Sequence, residues 1–159
     1  MCLPLQLIRR LALPLVIAAA VVVADQATKR MAESLFSDRR VWVIDGFFGF
    51  TFHENPGAAF SLFGRGGPFF AVVAILVSAF VIWYLRTPRP MPERIGFGLV
   101  LGGALGNLFD RLTRGDGLFD GKVVDWINLW WIPTFNIADA SLTIAVVLLL
   151  VYSWRTRNS

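Results

Sequence analysis

The chain has 159 residues, a length that predicts a single domain. Its composition is 56% hydrophobic and only 16% charged, and its mean hydropathy is +0.62. Soluble domains carry about 25% charged residues, so these values exclude an ordinary soluble protein and predict membrane residence. The net charge of +4 does not indicate a nucleic-acid partner, because the basic residues lie between apolar blocks and form no patch.

The first apolar block, which follows Arg9 and Arg10, predicts a membrane-spanning helix. Such a helix needs about 20 mostly apolar residues, and the block reaches that length only by including the polar residues that follow it. A cleavable signal peptide is the alternative, because basic residues precede an apolar run that contains Ala18-Ala19-Ala20. The second block, 68–85, has no charge at all.

Four such blocks predict a membrane all-α fold with four spanning helices and a small β element. We expect one polytopic domain over 1–159, with helices at about 8–30, 68–86, 94–112 and 137–155. The short turn 86–94 carries three arginines, and both terminal segments are also basic. Basic residues favour the cytoplasmic side, so both termini are expected in the cytoplasm and both long loops outside.

The first long loop, between the first and second helices, contains two aromatic and β-branched stretches, 41–46 and 47–53. Such stretches predict short strands or a hairpin. In the second long loop, Trp130 and Trp131 are typical of an aromatic belt at the membrane surface. Glycines recur every fourth residue in the third helix, a pattern that predicts close helix packing (Gly98, Gly102 and Gly106).

Ionisable residues in or beside spanning helices are costly, so they are candidates for function. Asp25 and Lys29 lie four residues apart near the predicted end of the first helix, where an ion pair has either a structural or a functional explanation. Asn55-Pro56-Gly57 is ordinary turn chemistry. The alternative is that Asn55, with Ala58-Ala59, lines a peptide groove.

The third helix ends with a polar face that holds Asn107, Asp110 and Arg111. Asp110 is expected to stay ionised because it pairs with Arg111. A permanently ionised Asp110 is better suited to positioning other groups than to sharing a proton with another acid.

Asp125 and Asp139 are 14 residues apart, at the same predicted membrane face, without an obvious cationic partner. Asn136 shares a helix face with Asp139, for which helix capping is the alternative explanation. Two carboxylates that approach each other share one proton. One acid can then activate water while the other protonates a scissile carbonyl.

The single cysteine, Cys2, and the single histidine, His53, exclude an internal disulfide, a Cys/His metal cluster and a Cys–His nucleophile. An all-carboxylate metal site stays open, although no residue pattern supports one. We therefore expect neither a metal nor a cofactor.

Five motifs in order resemble those of the lipoprotein signal peptidases (signal peptidase II). They are Asp-Gln-x-Thr-Lys from Asp25, Asn-Pro-Gly-Ala-Ala-Phe from Asn55, Gly-Asn-Leu-x-Asp-Arg from Gly106, Val-Val-Asp from Val123 and Phe-Asn-x-Ala-Asp from Phe135. The resemblance implies an aspartic endopeptidase of the bacterial cytoplasmic membrane, with its active site at the outer face. Its implied reaction cleaves diacylglyceryl-modified prolipoproteins just before the lipidated cysteine.

The same resemblance implies an outer β-cradle from the first long loop, catalysis by Asp125 and Asp139, and inhibition by globomycin. Membrane lipid is the implied surrounding, and a monomer is expected. The residues expected to bind substrate or support the acids are Asp25, Lys29, Asn55, Gly57, Asn107, Asp110, Arg111, Asn136 and Ala138.

One segment departs from the family pattern. The stretch 111–125 is longer than the usual link and adds Asp116 and Asp120 near the acids. Two other functions are alternatives for the same residues. A proton-coupled carrier would place acids at mid-membrane, and a non-enzymatic scaffold would leave the paired Asp and Asn residues unexplained.

Overall fold

A computed structural model describes residues 3–57 and 66–158. It contains four helices that are long and apolar enough to cross a membrane. They are α1 (Leu3–Phe36), α2 (Gly66–Tyr84), α3 (Met91–Thr113) and α4 (Ile137–Arg157). The prediction of four spanning helices with a small β element is therefore confirmed.

Helix α1 continues to Phe36, beyond the expected end at residue 30, so Asp25 and Lys29 lie inside the helix and not at its end. The extension follows from local preference, because the segment after Lys29 is rich in Ala, Arg, Met, Glu and Leu, which favour helix. Pro14 lies within the same helix, where an internal proline is tolerated in membrane-spanning segments.

Helix α3 is the centre of the bundle and packs against the other three helices. Its glycine face permits this closeness. A Cβ added at Gly102 would lie 2.6 Å from Cβ of Val21, and one at Gly98 would lie 3.1 Å from Cα of Pro14. The predicted small-residue packing face therefore holds α3 against α1.

A four-stranded antiparallel sheet covers the end of the helix bundle at which α4 begins. Its strands, in spatial as well as chain order, are β1 (Val41–Ile44), β2 (Phe48–Asn55), β3 (Val123–Leu129) and β4 (Ile132–Phe135). Sequence analysis placed the β element in the first long loop, which supplies β1 and β2, and the second long loop supplies the other two strands. The missed β3–β4 turn passes through Trp130, whose φ of 37° is unusual for a residue other than glycine. Without an Asn-Gly or Asp-Gly signal, the hairpin cannot be read from local sequence.

The pairing of β2 with β3 positions the site. It sets Asn55 opposite Val123 and His53 opposite Asp125, although these residues are far apart in the chain. Aromatic contacts fix the sheet to α1: the Phe50 ring lies 5.6 Å from those of both Phe36 and Trp126. The carboxylate of β3 is thereby held above the start of α4.

Candidate active site

Asp125 and Asp139 reach the same cavity from different elements. Asp125 belongs to β3 and its side chain is only 2% exposed, whereas Asp139 is half-buried in the first turn of α4. Asp139 also takes part in a capping box: its backbone N–H donates to Oδ1 of Asn136 (2.9 Å), and its Oδ2 accepts from the Asn136 backbone N–H (3.3 Å). The capping interpretation is therefore correct, and it leaves Oδ1 of Asp139 available for a second donor.

Asparagine amides hold both carboxylates. Nδ2 of Asn136 donates to Oδ1 of Asp125 (2.7 Å), and Nδ2 of Asn55 donates to its Oδ2 (2.9 Å). Nδ2 of Asn107 donates to Oδ1 of Asp139 (2.8 Å). Within residues 3–57 and 66–158, neither acid forms an ion pair. We call Asp125 and Asp139 the acid pair.

Burial raises the pKa of Asp125 from 3.8 to about 6. The hydrogen bond from Asn55 opposes that rise, and the nearby charge of Asp139 adds to it. A carboxyl group with this pKa can keep a proton under mildly acidic conditions while still exchanging it readily. The environment thus suits acid–base chemistry.

A second group of charges lies directly beneath, formed by Asp25, Lys29 and Asp110, which we call the charge cluster. Nζ of Lys29 lies 2.7 Å from Oδ2 of Asp25 and 2.7 Å from Oδ2 of Asp110. All three side chains are fully buried. Such burial is tolerable only because the charges compensate each other at hydrogen-bond distance.

Hydrogen bonds connect the charge cluster to the acid pair. Oδ1 of Asn107 accepts from Lys29 Nζ (3.1 Å) and from Asn136 Nδ2 (3.2 Å). Oδ1 of Asp25 accepts from the backbone N–H of Ala138 (2.9 Å), at the start of α4. The cluster therefore fixes both an amide that holds Asp139 and the helix that carries it.

The expected pairing of Asp110 with Arg111 is wrong. Asp110 instead contacts Lys29 and Nε of Arg114, the latter at 3.2 Å. Adjacent side chains on a helix point in different directions, whereas residues four apart lie on one face. Arg111 turns toward the cavity, where its Nη1 donates to the Gly121 carbonyl (2.9 Å).

The cavity has a volume of about 300 Å³ and lies between helices α2, α3 and α4 and the sheet. Its polar lining gathers six of the residues expected from sequence: Asn55, Gly57, Asn107, Arg111, Asp125 and Asp139. The remaining wall is apolar and includes small residues of α2 and α3, such as Ala74, Gly103 and Ala104. It can therefore accept an extended, largely apolar chain beside the acids.

The other expected residues lie outside this lining, in supporting positions. Asp25, Lys29 and Asp110 form the charge cluster, and Asn136 and Ala138 begin α4. The extra acids of the 111–125 stretch do not line the cavity: Asp116 is exposed, and Asp120 accepts from the backbone N–H of Gly117. The candidate groove residues Ala58-Ala59 lie outside the described residues.

Sequence analysis missed two contributions to the site. Nε2 of Gln26 donates to Oδ1 of Asp110 (3.0 Å) and to the Gly106 carbonyl (3.2 Å), which ties α1 to α3 beside the charge cluster. Its position between Asp25 and Lys29 was the available signal. The apolar wall of the cavity was also missed. Its residues are ordinary apolar residues of spanning helices, and nothing in the local sequence distinguishes those that face the cavity from those that face lipid.

A family model described as "Signal peptidase (SPase) II" matches residues 17–155. Among curated relatives, a "Lipoprotein signal peptidase" of Symbiobacterium thermophilum is 37% identical over 147 residues, which cover 88% of this chain and 93% of the relative. Proteins of the same name from Rhodococcus jostii and Ectopseudomonas mendocina are 41% and 38% identical. The matched regions cover 90% and 91% of this chain, and 72% and 89% of those relatives.

Solved structures give the same picture. Two chains described as a bacterial membrane enzyme, determined by the in meso method at 2.3 and 1.9 Å, each align with a TM-score of 0.76. Their sequences are 31% and 33% identical to this one. The alignments cover 89% and 87% of this chain, and 87% and 90% of those chains.

Proposed function

This chain belongs to the lipoprotein signal peptidase family, aspartic peptidases that remove signal peptides from prolipoproteins, and from that premise we propose that Asp125 and Asp139 are its catalytic residues. The observation that carries the proposal is their meeting in one cavity, each held by amides and neither in an ion pair within the described residues. The family assignment displaces the carrier and scaffold alternatives.

In the proposed reaction a water molecule lies between the two carboxyl groups. Asp139, as carboxylate, takes a proton from this water while the oxygen attacks the scissile carbonyl carbon. Asp125 begins with the shared proton, which its raised pKa favours, and donates it to the carbonyl oxygen. The tetrahedral intermediate then collapses, the C–N bond breaks, and the leaving nitrogen takes the proton held by Asp139. As the carbonyl re-forms, a hydroxyl group of the intermediate returns its proton to Asp125, so both acids regain their starting protonation.

The substrate is proposed to be a diacylglyceryl-modified prolipoprotein, cut just before its lipidated cysteine. The apolar wall would hold the signal-peptide segment, with Ala74, Gly103 and Ala104 leaving room for it. Asn55 and Arg111 line the same cavity and are proposed to bind the substrate backbone. Gly57 would support that contact: its N–H donates to Oδ1 of Asn55, and its φ of 92° favours glycine.

The supporting residues would act through position. Lys29 pairs with Asp25 and shares Asp110 with Arg114. Asn107 and Asn136 connect that fixed geometry to the acid pair. Ala138 gives a backbone donor to Asp25 and a small side chain against Gly106. Metal is not required by this reaction, because the two acids supply both proton transfers.

We propose further that the single domain 1–159 works as a monomer in the bacterial cytoplasmic membrane. Both termini would be cytoplasmic, and the acid pair would lie at the outer face, as the arginines of the 86–94 turn indicate. Globomycin-type inhibitors would occupy the acid-lined cavity. Mass determination in detergent, and protection of the enzyme from a cavity-directed label by globomycin, would test these two points.

The central test is release of the signal peptide from a diacylglyceryl-modified prolipoprotein by detergent-purified protein, followed by gel shift. Wild type is expected to release it with or without chelator. Asp125→Asn and Asp139→Asn should each lose at least about 10³-fold in rate, because each removes one proton-transfer partner. Asp116→Asn is the matched control, since that acid is exposed and outside the cavity lining.

The outcomes separate the parts of the proposal. Inactivity of a folded wild type would contradict the activity itself. Loss in Asp139→Asn but not in Asp125→Asn would leave the reaction in place and remove Asp125 from the pair. Loss in Asp116→Asn equal to that of the other variants would show that the assay responds to any acid at this end.

Orientation has its own test. In a Cys2→Ser background, Asp116→Cys lies in the long loop and Thr87→Cys in the short turn, both at exposed positions. A membrane-impermeant maleimide should label Asp116→Cys on intact spheroplasts and Thr87→Cys only after lysis. The reverse pattern would invert the proposed topology without affecting the catalytic assignment.

A further inference from the structure

A second cavity, of about 320 Å³, lies at the end of the bundle opposite the acid pair. It is formed where the start of α1 meets the α2–α3 turn. Four of its lining residues are arginines: Arg9, Arg10, Arg89 and Arg94. The other lining residues are Gln6, Leu85, Thr87 and Pro88. Sequence analysis used these arginines only to orient the chain, and the proposed peptidase reaction does not involve them.

The guanidinium groups of this cavity are fixed by neutral acceptors. Nη1 of Arg10 donates to the Arg86 carbonyl (2.8 Å), and Nη2 of Arg94 donates to the Arg9 carbonyl (3.1 Å). Arg89 lies over the Tyr84 ring, with Cζ 3.5 Å from the ring centroid. Carbonyl and ring contacts hold a guanidinium in place without cancelling its charge.

Counter-charge is scarce around these arginines. The segments 1–12, 84–95 and 152–159 contain seven arginines and a single acid, Glu93. That acid accepts from the Tyr84 hydroxyl (2.7 Å) and does not line the cavity. In the part of the chain that the structure describes, none of the four cavity arginines forms an ion pair.

Arg94, which lines the cavity, has one hydrogen-bond donor without a partner among the described residues. Its Nε is buried and has no hydrogen-bond acceptor among the described residues. A buried donor without an acceptor is destabilising, and more so when the group is charged. An anionic oxygen in the cavity would neutralise the surrounding charge and offer the Arg94 guanidinium a further acceptor.

We propose that this arginine cavity binds the phosphate group of an anionic ligand, in the first instance the headgroup of an anionic phospholipid. Arginine forks match phosphate oxygens in a bidentate manner, and basic pockets between spanning helices are suited to lipid headgroups. Three exposed apolar side chains flank the same end, Leu5, Ile8 and Met91, where acyl chains would lie. The ligand would join the start of α1 to the α2–α3 turn.

The test is a titration of the full-length protein, purified in a neutral detergent, with phosphatidylglycerol and with phosphatidylcholine, read by native mass spectrometry. Wild type is expected to bind phosphatidylglycerol about tenfold more tightly, because phosphatidylcholine carries the same phosphate beside a quaternary ammonium that the arginines repel. Arg10→Gln/Arg94→Gln should lose that preference. Arg94→Lys keeps the charge without the fork and should lie between the two.

Arg157→Gln is the matched control, since it removes one charge from the same end but does not line the cavity. It should keep the wild-type preference. Basal signal-peptide release in neutral detergent should stay at the wild-type level in every variant, which also shows that each is folded. If the double variant does not fold, Arg94→Lys and Arg89→Gln carry the test.

Two further ligands identify the source of the phosphate. If inorganic phosphate or glycerol phosphate displaces the lipid at millimolar concentration, the site takes soluble phosphates as well; if neither does, it requires the lipid. Both results support a phosphate site. Equal binding of the two lipids that is unchanged in the double variant would overturn it, as would an equal loss in Arg157→Gln and the double variant.

Discussion

Two groups of carboxylates lie on either side of Asn107, and their surroundings are opposite. In the charge cluster, Lys29 lies 2.7 Å from both Asp25 and Asp110, and no solvent reaches the three side chains. In the acid pair, Asp125 and Asp139 receive hydrogen bonds from amides and contact no cation within the described residues. Aspartate is thus paired with a cation in the charge cluster, whereas in the acid pair it can gain and lose a proton.

This difference explains how a small membrane protein can hold five charged groups in one layer. In a cluster of paired charges, proton exchange is unfavourable, because changing the protonation of any member breaks an ion pair. An amide-held carboxylate takes up a proton more easily: the hydrogen bond from Asn55 favours the ionised form of Asp125, but burial outweighs it. The cluster supplies the framework, and the pair is free to exchange protons.

The strongest challenge to the comparison is Lys29→Met, which keeps the length of the side chain but removes its charge. Asp25 would then be buried without its cation and Asp110 would keep only Arg114, so the free energy of unfolding should fall by about 3–5 kcal/mol. Unfolding in mixed detergent micelles at pH 7 would measure the loss.

A double variant shows whether the loss comes from charge. Lys29→Met/Asp25→Asn restores the wild-type net charge of the cluster, leaves Asp110 paired with Arg114 and keeps an acceptor for the Ala138 N–H. It should therefore recover a large part of the lost stability. If Lys29→Met is as stable as wild type, or if the double variant is worse than both single variants, the cluster is not held by compensation.

The acid pair should reveal itself through pH. The pKa of Asp125 is about 6 in the folded protein, above its ordinary value of 3.8. A raised pKa adds stability that is fully present below about 3.8 and is lost as the pH rises through about 6, by up to about 3 kcal/mol in total. Between pH 4 and pH 7, wild type should therefore lose more stability than Asp125→Asn.

The measurement is the difference between two unfolding curves at each pH, so that every other titrating group cancels. Parallel pH profiles for wild type and Asp125→Asn would show that Asp125 titrates normally. A wild type that instead gains stability relative to the variant would show a lowered pKa. Either result would remove the proton-holding role from Asp125.

The sequence predicts the contacts that lie within one helix or strand, but not those between elements that are far apart in the chain. The four helices and the Asp25–Lys29 pair follow from local patterns, because apolar length and i,i+4 spacing act within one element. The bonding of Asp110 does not, since Lys29 reaches it from another helix. Strand β3 was missed because its partner β2 lies in the other long loop, and their pairing joins the two hairpins into one sheet.

Asn107 tests whether the charge cluster and the acid pair are coupled. In Asn107→Ala, Asp139 loses its Nδ2 donor at 2.8 Å, and Lys29 loses an acceptor. We expect kcat to fall about 10²-fold through misplacement of Asp139, while KM and the unfolding temperature change little. Asn128→Ala, which removes only a 3.4 Å contact with Thr134 in the sheet, should leave both constants near wild type.

A rise in KM with unchanged kcat would instead place Asn107 in substrate binding. A large loss of stability with a normal kcat would make it purely structural. The coupling between cluster and pair is supported only by a loss confined to kcat.

The smallest effect is expected from the ion pair between Lys122 and Glu54, at the edge of the same sheet. Its atoms lie 2.8 Å apart, almost the distance found in the charge cluster, but the two side chains are 50% and 43% exposed. Water and salt screen such a pair, and its formation costs side-chain entropy. Glu54→Gln should therefore leave the unfolding temperature unchanged within error at 0.15 M salt. Measured beside Lys29→Met, it separates burial from distance as the source of strength: a comparable loss in both variants would mean that proximity alone determines what these ion pairs contribute.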